Sequence, residues 1–281
     1  MTRRLVFAEG RQAEGLAAFL GRLLRYDRGA AVRLRAAPAG RTGGGDGGAA
    51  LAVFGHAPAL EVIVVRTVLL TAAAELDETV SAGELAEAID AAAGAGGAAG
   101  AEAGAGAGAG REAGGAAAPG GHAPAARDAP AGPDEGRRAA DGALAVPLPQ
   151  PVSGPGWAGL LPPRGDWQPV PGLPRPEELR AAVAAAVAEF KARVEALPEE
   201  KRTRTEVDRI GGDIWSRPLG ETPLPLRAAH AARVFGLLPP AADAAGPALL
   251  AAGNWLRLRT PYGSVAIRRT GGLGRLGVTP V

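Results

Sequence analysis

The side chains that could do chemistry are few and scattered. Histidine occurs only at His56, His122 and His230, and no two of them stand at the spacing a bound metal ion requires. Cysteine is absent, which excludes disulfides, thiol catalysis and thiolate metal sites together. Ser81, Ser153, Ser216 and Ser264 all lack the G-x-S-x-G turn that exposes a nucleophilic serine. Glu206, Asp208 and Asp213 form an acidic grouping, but a helix cap and two solvated or arginine-paired carboxylates account for it. Gly272-Leu273-Gly274-Arg275-Leu276-Gly277 spells G-x-G-x-x-G. That pattern holds a dinucleotide only between a strand and a helix, and four residues remain after it. No catalytic residue, metal or cofactor is assigned. The sequence reads as non-enzymatic, with an enzyme of unidentified class ranking third among the functions.

What remains is arginine. Of the 31 basic residues only Lys191 and Lys201 are lysine. Heavy Ala, Gly and Pro usage beside it points to the codon bias of a GC-rich genome, so the informative quantity is where the arginines fall. Residues 171–281 carry 16 Lys and Arg against 11 Asp and Glu, 81–170 carry 5 against 10, and 1–80 carry 10 against 8. No acidic residue follows Asp243. A basic end beside an acidic middle is the balance of a polyanion binder.

The basic residues lie on predicted elements. Leu224, Ala228, Ala231, Phe235 and Leu238 step by 4, 3, 4 and 3, which makes one face of a helix and leaves Arg227, His230 and Arg233 on its flank. Asn254–Thr260 and Ser264–Arg269 alternate around a Pro261-Tyr262-Gly263 turn, a β-hairpin. Arg257 and Arg259 share a face of its first arm, and Arg268 and Arg269 stand on the second. Two earlier helices are announced: Pro176 to Leu197 by the stripe Leu179, Val183, Val187, Phe190, Val194, Leu197, and a second by the capping-box spacing of Thr203 and Glu206. Three helices and a hairpin follow the order of a winged helix-turn-helix. The leading expectation is therefore a regulatory protein that binds duplex DNA, the third helix in the major groove and the hairpin as wing, its arginines neutralising phosphate. Against it stand the long spacing from helix to hairpin, Pro223 and Pro225 at the helix start, and the lack of Asn, Gln or Ser to read bases.

The alternative expectation is a protein–protein adaptor. Residues 143–175 are proline-rich and extended, and they carry Trp157 and Trp167. Such an arm either straps over its own domain or docks a partner.

The whole is predicted as α+β in four parts: an α+β domain at 1–90, an Ala/Gly-rich disordered linker at 91–142, the Pro-rich arm at 143–175, and a helical domain with C-terminal hairpin at 176–281. From Ala91 to Ala126 only Glu102, Arg111, Glu112 and His122 are not Ala, Gly or Pro, too little apolar surface to offset the entropy of ordering. The first domain reads β-α-β-β-β with an antiparallel sheet and serves as a dimerisation or partner module. Leu5-Val6-Phe7 is a strand, and Leu16, Phe19, Leu20, Leu23 and Leu24 are one helix face. Val62-Ile63-Val64-Val65 is apolar on both faces and therefore central in its sheet. A short helix is drawn at Leu249–Ala252. No run of ~18 apolar residues and no apolar stretch before Glu9 is present, so neither a membrane span nor a secretion signal is expected, and a cytoplasmic setting is.

Overall fold

A strand that is apolar on both faces needs a neighbour along each edge, and Val62–Leu70 has them. A computed structural model of the chain describes residues 3–37, 49–71, 75–106, 142–238 and 246–269. Within them the N-terminal half runs β1 (Arg4–Phe7), α1 (Gly10–Tyr26), β2 (Ala31–Ala37), β3 (Ala49–Ala57), β4 (Val62–Leu70), β5 (Leu76–Ser81) and α2 (Ala82–Gly106). The second half runs β6 (Leu144–Pro147), β7 (Gln168–Pro169), α3 (Pro176–Glu195), α4 (Arg204–Trp215), α5 (Leu226–Val234), β8 (Ala248–Ala252), β9 (Trp255–Thr260) and β10 (Gly263–Arg268). The fold is α+β around one large antiparallel sheet, in the order β5-β2-β3-β4-β10-β9-β8-β7, with β1 joining β4 to β6.

The join between the halves is β4 to β10, in the register Val65 to Ser264, Val64 to Val265 and Ile63 to Ala266. Gly263 makes it fit. Its φ is 148°, and a Cβ there would lie 2.3 Å from the Val65 carbonyl oxygen. Separate bodies at 1–90 and 176–281 are therefore replaced by one sheet and one apolar core that runs from Leu5 to Ile267. The physical reason lies in β10. Ser264, Val265, Ala266 and Ile267 are all buried, so this strand too is shielded on both faces and requires a second neighbour.

Helices cover one face of the sheet. α1 and α2 pack together over the N-terminal strands, α5 lies on β10, β4 and β9, and α3 and α4 pack outside α5. The periodic stripes are the contact surfaces. Leu16, Phe19, Leu20 and Leu23 of α1 are buried, as are Leu179 and Val183 of α3. Thr203 caps α4 by accepting from the Glu206 amide. Three expected elements differ. Residues 91–106, drawn as linker, continue α2; residues 107–141 lie outside the described residues, as do His122 and the glycine motif at 272–277. Leu249–Ala252 is part of β8, because pairing with β9 overrides the helix propensity of Ala and Leu. β5 was unforeseen, since Asp77 and Glu78 break its apolar pattern.

The arm crosses the other face. β6 pairs with β1, Pro151 bridges Val80 at the β5 edge, and β7 pairs with β8 at the far edge. From Pro151, outside β5, to β7 there are eight strand gaps, which at ~4.8 Å each make roughly 38 Å. The stretch from Val152 to Gln168 reaches about 50 Å as polyproline II. The slack is taken up in a 3-10 turn at Gly156–Gly159, which seats Trp157 on the sheet.

Candidate functional site

Strand alternation sends one set of side chains to the arm-covered face. Its centre is the patch Ile63, Val65 and Ala266, with Phe54, Trp157, Leu161 and Trp255 packed against it. Cross-strand register brings Arg33 opposite Phe54, Arg259 opposite Ser264, Arg257 opposite Ala266 and Arg268 opposite Trp255. An apolar, aromatic centre is thus flanked by arginine on both sides.

The two flanks differ electrostatically. On the β2 side Arg33 and Arg35 each donate from Nε to Asp77 Oδ1 at 2.8 Å, and Arg164 of the arm lies 3.8 Å from its other oxygen. Burial works to raise the Asp77 carboxyl, but the hydrogen bonds from Arg33 and Arg35 hold it below the ordinary carboxylate value. On the β9 side no ion pair to a carboxylate is found for Arg257, Arg259 or Arg268 among the described residues. Arg257 donates to Ser264 Oγ at 2.9 Å and lies over the Trp167 ring at 5.6 Å. Arg268 lies over Trp255 at 5.8 Å, and Arg259 is exposed. Both stacked pairs sit within cation–π range. Burial, then the neighbouring Arg259, pulls Arg257 below the usual guanidinium value, and it stays charged.

At one end of this face a hollow of about 370 Å³ opens between arm and sheet. Ile63 and Ala266 are at its base, Trp157, Trp255 and His56 around it, and Glu61, Arg227 and Arg268 complete the lining. His56 stacks on Trp157 with centroids 5.7 Å apart, and that pair divides this hollow from a neighbouring one lined by Asp27, Ser81 and Ser153. Burial lowers the His56 imidazole against a weaker opposing pull from Asp27. Glu61 has a left-handed backbone, φ 52°, and its carboxylate lies 3.3 Å from the Arg227 guanidinium.

The sequence-predicted residues separate into two groups. Arg257, Arg259 and Arg268 share the arm-covered face; Arg269 is exposed just beyond β10. Arg227, His230 and Arg233 do not join them as a groove-reading surface. Ala228, Ala229, Ala231 and Ala232 are fully buried, so α5 is an inner layer between the sheet and α3 and α4. The Arg227 side chain is 15% exposed and reaches the hollow, His230 stacks on Trp215 at 4.3 Å, and only Arg233 stands in solvent. A helix so enclosed cannot enter a groove ~12 Å wide without leaving its own core. The hairpin is likewise no free wing, because β10 is bonded to strands on both edges. Trp157 and Trp167 are both held internally, Trp157 against His56 and Trp167 by donating to the Pro163 carbonyl at 3.0 Å. Sequence reasoning missed His56, Glu61 and Trp255 as lining groups. The available signal was Val265-Ala266-Ile267, a second two-sided apolar strand that had to meet the first.

Two families match parts of the chain. Residues 1–107 are similar to the family described as Domain of unknown function (DUF8010), and residues 162–272 to that described as Domain of unknown function (DUF8185). No curated protein and no solved structure matches the chain. Trp157 lies between the two matched segments, and Trp167, Trp255 and the β9–β10 arginines lie within the second. Among the described residues no helix is long and apolar enough to cross a membrane.

Proposed function

We propose that this protein binds nucleic acid without chemistry, through the arm-covered face of the sheet rather than through α5. The observation that carries the reading is the placement of Arg257 over Trp167 and Arg268 over Trp255, with Arg259 exposed beside them and no carboxylate paired to any of the three among the described residues. Indole faces stack bases of any sequence, and arginines beside them follow the phosphates. A sheet face with no protruding helix favours a single strand, whose bases can turn outward, over a duplex.

Fluorescence anisotropy of the full chain with a labelled single-stranded oligonucleotide, and separately with the matching duplex, tests this. The single strand should bind more tightly, with log affinity falling by about 0.7 per log salt for each phosphate contacted. Replacing Arg257 and Arg259 with alanine should flatten that slope by roughly 1.4 on the same counting. Absence of binding to either probe at low salt would overturn the reading. The adaptor alternative keeps one supporting observation: Val152 and Leu160 of the arm are 39% and 58% exposed, apolar side chains left for a partner protein.

A further inference from the structure

The hollow at the end of the arginine–indole face has the chemistry of a site for one base and its phosphate. We infer that it takes a nucleoside monophosphate unit, ring against the Trp157 and Trp255 indoles and phosphate at Arg268 and Arg227, where it displaces Glu61. This rests on the nucleic-acid reading of the face and says where along it a single unit is gripped.

Four observations carry it. Both indoles pack on the same small patch, Ile63, Val65 and Ala266, so a flat ring entering between arm and sheet meets aromatic surface above an apolar base. The volume, about 370 Å³, falls at the lower end of small-ligand pockets, typically ~300–1,000 Å³. The lining is apolar except at His56 and at the charged Glu61, Arg227 and Arg268, so most of its wall offers a ring no hydrogen-bonding partner. Such a site stacks bases without choosing among them. Finally, Arg227 is under-used. Its side chain is 15% exposed, and among the described residues its buried Nε has no hydrogen-bond partner and its one ion pair is the 3.3 Å contact with Glu61, whose side chain is 73% exposed. A guanidinium is built to bind two oxygens side by side. A phosphate offers them, and Glu61 acts as a weakly held stand-in for that anion.

The test is titration of the full chain with AMP, read by quenching of intrinsic tryptophan fluorescence and by calorimetry, with adenosine and inorganic phosphate as separate arms. AMP should bind more tightly than either part alone, and UMP should come close to AMP. Trp255→Ala should weaken AMP by about tenfold or more, the loss expected when one stacking indole is removed. Arg268→Ala, at an exposed position, should weaken AMP and inorganic phosphate but not adenosine. Glu61→Gln should tighten AMP by removing a competing charge, a gain that general structural damage does not produce. If the single-stranded oligonucleotide binds but AMP does not, the inference falls and the reading of the face stands. If inorganic phosphate binds as well as AMP while adenosine does not bind, the hollow is an anion site and the inference falls. If neither oligonucleotide nor AMP binds, both fall.

Discussion

At the scale of single residues, most paired arginines meet carboxylates, but Arg66, Arg257 and Arg268 sit on rings instead. Arg66 shows the pattern on the helix side. It donates to the Tyr262 carbonyl at 2.9 Å and lies over that ring at 5.9 Å, and Gly15 gives its guanidinium room where a Cβ would stand 2.8 Å away. His230 is the titratable member of the set. Burial, then Arg233, lowers its imidazole below the ordinary 6.5. A folded value below the unfolded one means the unfolded chain binds the proton first, so stability is fully present above about pH 6.5 and declines as pH falls toward the folded value. His56 is lowered in the same direction by its own burial. Chemical denaturation between pH 7.5 and 5 should therefore show stability lost from about pH 6.5 downward. His230→Phe, which keeps a ring on Trp215, should remove much of that loss. An unchanged pH profile in this variant would assign the titration elsewhere. The carboxylates lowered by arginine, Asp77, Glu189 and Asp213, lose their contribution only at lower pH, in the carboxylate range.

At the scale of elements, local pattern told the amphipathic helices and the hairpin correctly, misread the strand at Leu249–Ala252 as a helix, and told pairings poorly. α1 was legible because Leu16, Phe19, Leu20 and Leu23 repeat at helical spacing, and the β9–β10 turn because Pro261 and Gly263 mark it. β4 was legible as central because both of its faces are apolar. What it sits beside was not, since strand register between distant segments leaves no trace in either segment alone. The same limit misplaced the site. Arg227, His230 and Arg233 were correctly put on a helix, but whether a helix faces solvent or a second layer depends on what packs over its small residues. The run of alanines in α5 was the overlooked clue, because the small buried side chains of Ala228, Ala229, Ala231 and Ala232 let the helix lie close between two layers. Ala229→Leu should then cost roughly 1–3 kcal/mol, the usual penalty of overpacking, measured by urea denaturation. A neutral result would mean that there is room beside Ala229 after all.

At the scale of the molecule, the β4–β10 pairing joins the two family-matched segments in one sheet, which predicts that they unfold together. Thermal unfolding followed by circular dichroism and by tryptophan fluorescence should give coincident single transitions, although all four tryptophans lie in the second half. A protease site placed at 120–121 and cut should leave two pieces that elute together and separate only in denaturant. Two transitions, or pieces that part in native buffer, would restore two independent bodies. The basic surplus of the second half also changes meaning at this scale. Spread over a shared sheet, it belongs to a face assembled from both halves and the arm: Arg33 and Arg35 come from the first, Arg164 from the arm, and Arg257, Arg259 and Arg268 from the hairpin.

The central strand has a temporal consequence. Val64 pairs with Val265, and about two hundred residues separate them. At ribosomal speeds of ~5–20 residues per second, β4 leaves the exit tunnel roughly 10–40 s before its neighbour exists. During that interval the nascent chain carries an open, doubly apolar strand edge, the geometry that invites pairing with another copy. Until β10 arrives that edge has no strand beside Ile63, Val64 and Val65, and the segment that closes it is made about two hundred residues later.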